Sequence, residues 1–264
     1  MLLYNDPISE GKHEVSNIYS YFQVHHPKKQ ELTHILCEMQ PIEHRSALMG
    51  VTSAGLPFIR DFDSPVSSSV LIVGDAGIGK THILKTISVS ALYLNRVDDL
   101  RCTVLTHSPN EWFDVVSCNL IKDSTQLEIV SWADKIAKEI LPQLANSVEY
   151  QLTHLQNKPG VLLIVDDLSQ IMKYPDITQE ALMWLIYYGP RAGCWPIVTL
   201  NANRVDQINQ WIDLFCTKLI GRVASPVVIS KLGCSNYRVG ELAEREFFYI
   251  GPSGNAVKIW IPML

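Results

Sequence analysis

The sequence predicts an α/β layered fold: a central, mostly parallel sheet flanked by helices, closed by a C-terminal β-hairpin and preceded by a small N-terminal appendage. Three observations carry this. From Val70 onward, apolar runs of strand length alternate with stretches of helical spacing. Val161–Val165 is five apolar residues in a row between Pro159-Gly160 and Asp166-Asp167, as in a strand buried on both faces of a parallel sheet. A glycine-rich turn, Gly74–Gly79, joins an apolar strand directly to a helix carrying Ile83, Leu84 and Ile87.

Taken in order, residues 1–45 are polar and mixed in pattern, with helical spacing over Lys29–Met39 after Pro27. Pro65 and the serines between Ser64 and Ser69 mark a boundary before the strand Val70–Val73. Thr103–Thr106 reads as a second short strand. Gln126–Leu155 reads as a helix interrupted at Pro142, since proline lacks the N–H and its ring crowds the preceding turn. Ile177–Tyr188 is helical, Pro196–Leu200 a strand and Val205–Phe215 another helix. Glu246–Ile250 and Ala256–Ile261 flank Pro252-Ser253-Gly254-Asn255, turn residues that predict a hairpin.

A chain of 264 residues with 47% apolar and 19% charged residues buries a substantial core. This excludes a disordered chain, a collagen-like repeat and a disulfide miniprotein. The net charge of −5 argues against a basic nucleic-acid coat, although residues 185–264 carry 8 Lys/Arg against 5 Asp/Glu. Cys37, Cys102, Cys118, Cys194, Cys216 and Cys234 form no CxxC pair; they read as free, mostly buried thiols of a reducing cytoplasm. His25-His26 has no Cys or carboxylate at ligand spacing. No signal peptide and no membrane-spanning run are visible, so a cytoplasmic location without direct membrane insertion is expected.

The strongest chemical signal is Gly74-Asp75-Ala76-Gly77-Ile78-Gly79-Lys80-Thr81, which satisfies GxxxxGK[ST] between a strand and a helix. Four fixed positions match by chance in roughly 1% of chains this long, and the strand and helix on either side reduce that several-fold. Glycines let backbone N–H groups point inward, and the helix N-terminus adds partial positive charge where phosphate sits. Lys80 is placed to reach the β- and γ-phosphates of ATP, and the Thr81 hydroxyl to ligate Mg²⁺. Gly74 through Thr81, with His82 next in line, are the expected nucleotide-binding residues of a RecA-like P-loop NTPase.

Asp166-Asp167 ends the most apolar strand, and ligands of open α/β sheets bind outside strand C-termini. Asp166 is the expected Walker-B acid, holding Mg²⁺ directly or through water, and Asp167 is placed to orient or deprotonate the attacking water. The plainer alternative for the pair is an acidic loop start. Asn201 follows Val198-Thr199-Leu200. In additional-strand P-loop folds this strand lies between the two Walker strands, so Asn201 either senses the γ-phosphate or caps the segment Asn203–Val205.

Several segments, in consistent order over residues 50–264, resemble the FtsK/HerA superfamily of ring-forming P-loop ATPases. Gly50–Asp61 is similar to that family's lead-in, G-x-x-x-x-G-x-P-x-x-x-D. Gly189-Pro190-Arg191-Ala192-Gly193-Cys194-Trp195 is similar to its G-R-A-x-G-I-H stretch, with an extra Pro190. Asn201 falls where the family has its sensor Gln, and Thr217–Ser225 resembles its later strand. Gly240-Glu241-Leu242 and the hairpin occupy its closing position. The resemblance implies a motor domain over 50–264 and leaves an appendage over 1–49, which would dock a protein partner under the competing reading as a switch. It places Arg191 as an arginine finger entering a neighbouring subunit's site, the alternative being a surface arginine at a helix end. It places Lys218, more weakly, as a second basic contact.

The chain departs from the family in having Asp167 for the usual Glu and Asn201 for Gln, each one methylene shorter. The resemblance further implies a homo-oligomer, a hexameric ring, moving double-stranded DNA, with secretion relatives moving protein. Candidate pore loops are Asn119–Thr125, with Lys122, and Tyr174–Thr178. The competing expectation is an ATP-dependent switch or scaffold with slow turnover.

Overall fold

The computed structural model describes residues 31–39, 45–66, 68–121, 123–154 and 159–264. His25-His26, Lys122 and most of the 1–49 segment lie outside the described residues. Among those described, ten strands form one mixed sheet: β1 (Ser46–Thr52), β2 (Pro57–Asp61), β3 (Val70–Gly74), β4 (Leu100–Thr106), β5 (Leu127–Ser131), β6 (Gly160–Asp166), β7 (Cys194–Asn201), β8 (Thr217–Ile220), β9 (Glu246–Ile250) and β10 (Ala256–Trp260). Their spatial order is β2-β1-β10-β9-β8-β3-β7-β6-β4-β5. The block from β8 to β5 is parallel. The β9–β10 hairpin and the β1–β2 pair extend it antiparallel.

Alternation along the central strands divides the core between two faces. Leu162 and Ile164 of β6, with Val70 and Ile72 of β3, pack on one face against α1 (Leu32–Glu38) and α2 (Lys80–Leu94). Leu163, Val165, Leu71 and Val73 pack on the other against α4 (Ala137–His154) and α5 (Asp176–Tyr188), α3 being the single turn Phe113–Val116. Each of these strand side chains is at most 1% exposed, worth about 1.5–3 kcal/mol apiece on removal from water. The short helices α6 (Asn209–Ile212) and α7 (Pro226–Lys231) precede and follow β8 along the chain.

The described part of the 1–49 segment belongs to this core. Leu32, Ile35 and Leu36 are buried against the face that carries α2, and Leu32 N–H donates to Met263 O. Asn95, just past α2, takes an N–H from Ser46 and donates to Ser46 O and Ala91 O, tying the helix end to β1. The division expected at 49/50 therefore falls inside β1.

Two expectations are corrected. The stretch read as helix from Gln126 opens with β5, whose β-branched Ile129 and Val130 pair in parallel with β4. The helix begins only at Ala137 and runs through Pro142. Proline at 142 leaves the carbonyl of Lys138 without its helical donor, and Thr178 Oγ1 of α5 supplies one at 3.3 Å. Likewise Val205–Phe215 is a 3₁₀ segment, Ala202–Ile208, followed by the single turn α6. All six cysteines are free, and burial pushes the Cys102 and Cys194 thiols up to about 12.

Candidate nucleotide site

β3 ends at Gly74 and α2 starts at Lys80, so the glycine-rich turn sits at the C-terminal edge of the parallel block. Gly77 and Gly79 have φ of 77° and 95°, the left-handed region that side chains other than glycine enter at a cost. The turn is clamped from both sides by the C-terminal part of the chain. Asp75 N–H donates to Arg222 O, and the Asp75 carboxylate accepts from Ala224 N at 2.9 Å. Ile78 O accepts from Arg245 N at 3.0 Å.

Lys80 folds over the turn and donates to Gly74 O at 2.9 Å and Asp75 O at 2.7 Å. Burial pulls its pKa below the ordinary lysine value, opposed by the charges of Asp167, Asp166 and Asp75. The ammonium thus sits within the field of both acids at the end of β6, in a site that withdraws it from water.

Asp166 is the centre of the site. Its Oδ2 accepts from Thr81 Oγ1 at 3.0 Å and its Oδ1 from Thr199 Oγ1 at 2.6 Å. Its backbone carbonyl accepts from Trp132 Nε1 at 3.3 Å. Burial raises its pKa above the ordinary aspartate value; the Thr199 and Thr81 hydroxyls oppose that rise, while the charges of Asp167 and Glu111 add to it. A hydroxyl and a carboxylate 3.0 Å apart beside the glycine-rich turn are a hard-oxygen donor set of the kind suited to one Mg²⁺ that keeps waters. Among the described residues no group of three or more His, Cys, Asp or Glu is placed to hold a metal ion.

Asp167 turns away from a purely chemical role. Its Oδ1 accepts from both the backbone N–H of Ser169, at 2.6 Å, and the Ser169 hydroxyl, at 2.5 Å, capping the 3₁₀ segment Leu168–Lys173. Asn201 lies in register with Gly74 across the β3–β7 pair, at the lip of the site. Its side-chain oxygen accepts from Asn203 N at 3.5 Å, the capping arrangement. His82, in the first turn of α2, bonds through Nε2 to Pro262 O at 2.7 Å. Burial leads in lowering its pKa, and the Arg245 and Lys85 charges lower it further.

Arg191 is not brought to this site within the chain. It is exposed on the 3₁₀ turn Gly189–Ala192 that feeds the start of β7, with its guanidinium 6.0 Å from the Tyr187 ring centroid. Asn201 ends the same strand, seven residues beyond Cys194, so the two ends of β7 are roughly 23 Å apart at strand rise. Lys218 pairs with Leu71 inside β8, away from the cradle. Of the candidate pore loops, Tyr174 bonds through its hydroxyl to Trp132 O and Thr178 to Lys138 O, so Tyr174–Thr178 is engaged in packing. In Asn119–Thr125, Asp123 accepts from Thr125 N and Oγ1.

Thr199, Trp132, Glu111 and Arg245 were not legible as site residues. Thr199 alone left a signal, a polar side chain inside the apolar run Pro196–Leu200. The other three reach the site from separate elements through sheet order.

Neither a protein-family model nor a curated protein matches the sequence. Solved structures do match the fold. EccC ATPases 2 and 3 of Thermomonospora curvata, in complex with a signal sequence peptide, superpose with a TM-score of 0.66 at 16% identity, covering 84% of this chain and 41% of that one. EssC ATPases 2 and 3 of Geobacillus thermodenitrificans give 0.69 at 14% identity, covering 90% and 47%. The genome packaging NTPase B204 of Sulfolobus turreted icosahedral virus 2, in complex with ATP-gammaS, gives 0.51 at 18%, covering 75% and 98%. The chain thus spans less than half the length of the EccC and EssC chains. Its fold is that of these ATPase structures, with the strand β7 lying between β3 and β6.

Proposed function

We propose that this chain is the ATP-hydrolysing domain of a ring-forming motor that moves a polymer, double-stranded DNA being the leading cargo. The observation that carries the nucleotide reading is the hydroxyl–carboxylate–hydroxyl chain Thr81–Asp166–Thr199, set beside Lys80 at the mouth of the glycine-rich turn. In this reading the N-terminal amides of α2 and the turn hold the phosphates. Lys80 exchanges its bonds to Gly74 O and Asp75 O for phosphate oxygens, so its charge moves from carbonyls to the reacting group. Thr81 and Asp166 hold Mg²⁺, which supplies charge neutralisation of the phosphates when bound. Asp167, through its second oxygen, orients the attacking water, and Asn201 reads the γ-phosphate across the lip.

Arg191 serves a neighbouring copy. Its exposed position at the opposite end of β7 suits donation to another subunit, where an arginine stabilises the charge on the transferring phosphoryl. The EccC and B204 neighbours bracket the cargo question, one bound to a signal peptide and one named for genome packaging. The mildly basic C-terminal third supports nucleic acid. No helix among the described residues is long and apolar enough to cross a membrane.

The test is Mg²⁺-dependent ATP hydrolysis by the purified chain, abolished in Lys80→Ala, and stimulated by duplex DNA with stimulation falling steeply as salt rises. Tight ATP binding without stimulation by any DNA overturns the DNA cargo. One observation favours a second reading, a nucleotide-dependent switch with slow turnover: Asp167 spends one carboxylate oxygen on Ser169.

A further inference from the structure

Among the described residues, Arg245 is the one non-glycine with positive φ, at 63°. Its backbone is pinned on both sides: Arg245 N–H donates to Ile78 O of the glycine-rich turn, and Arg245 O accepts from Ile261 N, each at 3.0 Å. Its side-chain stem lies on Gly79, where an added Cβ would meet Arg245 Cγ at 3.1 Å. Its guanidinium lies 5.1 Å from the ring centroid of Trp260 and contacts Met263 Sδ. His82, one step beyond Thr81, stands within the reach of the Arg245 charge. A strained backbone held this firmly against a ligand loop points to a role for the side chain.

Its place relative to the phosphates gives that role. β3 is flanked by β7 on one side and β8 on the other. Asp166, Thr199 and Asn201, the residues that face the γ end, all lie on the β7 side. The base end of a nucleotide in this cradle therefore points to the β8–β9 side, where Arg245 and His82 flank the start of α2. Trp260 backs one face of the Arg245 guanidinium, and the other face of a planar, delocalised cation stacks well on an aromatic ring.

We propose that Arg245 is the base-side contact of the site, its guanidinium backed by Trp260 forming a flat cationic platform for the adenine ring. This rests on the nucleotide reading above. Arg245 would then set preference for a nucleotide over a bare polyphosphate, a task that the glycine-rich turn and Lys80 cannot perform because they touch only phosphates.

The experiment compares ATP with inorganic tripolyphosphate, binding each to wild type, Arg245→Gly, Arg245→Lys and Lys80→Ala by calorimetry. Glycine is at ease at positive φ, so Arg245→Gly is expected to keep or raise the melting temperature. It should weaken ATP roughly tenfold, the scale of one desolvated cation–π contact, and leave tripolyphosphate unchanged. Arg245→Lys keeps the charge and loses the plane, and should resemble Arg245→Gly. Equal loss of both ligands in Arg245→Gly, with rescue in Arg245→Lys, would make Arg245 a phosphate contact and overturn the platform. Unchanged ATP affinity in both variants also overturns it. Lys80→Ala should weaken both ligands; wild type binding neither defeats the nucleotide reading itself, an outcome distinct from failure of the Arg245 platform alone.

Discussion

Thr199 Oγ1 donates to Asp166 Oδ1 at 2.6 Å, from the strand that lies between β3 and β6. The central strand therefore contributes a donor to the acid, and the acid's second oxygen is taken by Thr81. Thr199→Val is nearly isosteric and removes only the hydroxyl. Turnover should fall roughly tenfold, matching a hydrogen bond to a charged group worth about 1.5 kcal/mol. With one of its two charge-stabilising hydroxyls gone, the Asp166 pKa rises further. The acid limb of the ATPase pH profile should then move to higher pH, read from steady-state rates.

Asp166 also bears on stability. Its pKa is raised in the folded chain chiefly by burial, so the folded state favours the protonated form. That preference is fully present below the ordinary aspartate range and is lost as pH rises through the raised value. Asp166→Asn removes the buried charge and should raise the melting temperature of the nucleotide-free chain at neutral pH by roughly 2–4 °C. The gain should shrink as pH falls into the carboxylate range, while hydrolysis is lost throughout. Thermal scans across pH check both parts.

Asp167 carries a cap and, in the proposed function, a water. Asp167→Asn keeps an acceptor for the Ser169 N–H and should melt close to wild type, yet turn over ATP at least about 100-fold more slowly. Asp167→Ala loses the cap as well, costing about 1 kcal/mol more. A full-rate Asp167→Asn would leave Asp167 as a cap only.

Pro142 and Thr178 form a compensated pair within α4 and α5. Pro142→Ala should stabilise by about 1–2 kcal/mol, restoring the helical N–H to Lys138 O. Thr178→Val should cost about 1 kcal/mol in the wild-type chain, where it strips Lys138 O of its donor, and less in the Pro142→Ala background. Urea unfolding of the four proteins gives the coupling.

For Arg191, mixing resolves the matter. Lys80→Ala and Arg191→Ala are each expected to be inactive alone. Mixed in varying ratios they should recover ATPase, because an intact cradle meets an intact arginine at some shared interfaces. No recovery at any ratio counts against donation between subunits.

Much of the cradle is visible in the chain because its parts are contiguous. Gly74 to Thr81 turn from a strand into a helix within eight residues, and closing around a phosphate there, as the proposed function has it, leaves a spaced glycine pattern with a strand before and a helix after it. Asp166 is visible for a related reason: a strand buried on both faces tolerates no polar residue until its end. The strand Leu127–Ser131 was less legible since a half-exposed edge strand leaves a weak pattern beside a strongly helical neighbour.

What the sequence by itself determined is thus local: the glycine-rich turn, the acid at the end of a buried strand, and the alternation that makes an α/β sheet. Tertiary structure alone decided who else stands at the site. Thr199, Glu111, Trp132 and Arg245 arrive from distant positions, because sheet order places β7 between β3 and β6 and brings the root of the hairpin against Ile78 and Gly79. Hydrogen-bond pairing between strands carries no periodic signature along the chain. It also separates Arg191 from the cradle by the length of β7, so that an arginine lying ten residues before Asn201 is turned toward the opposite end of the sheet.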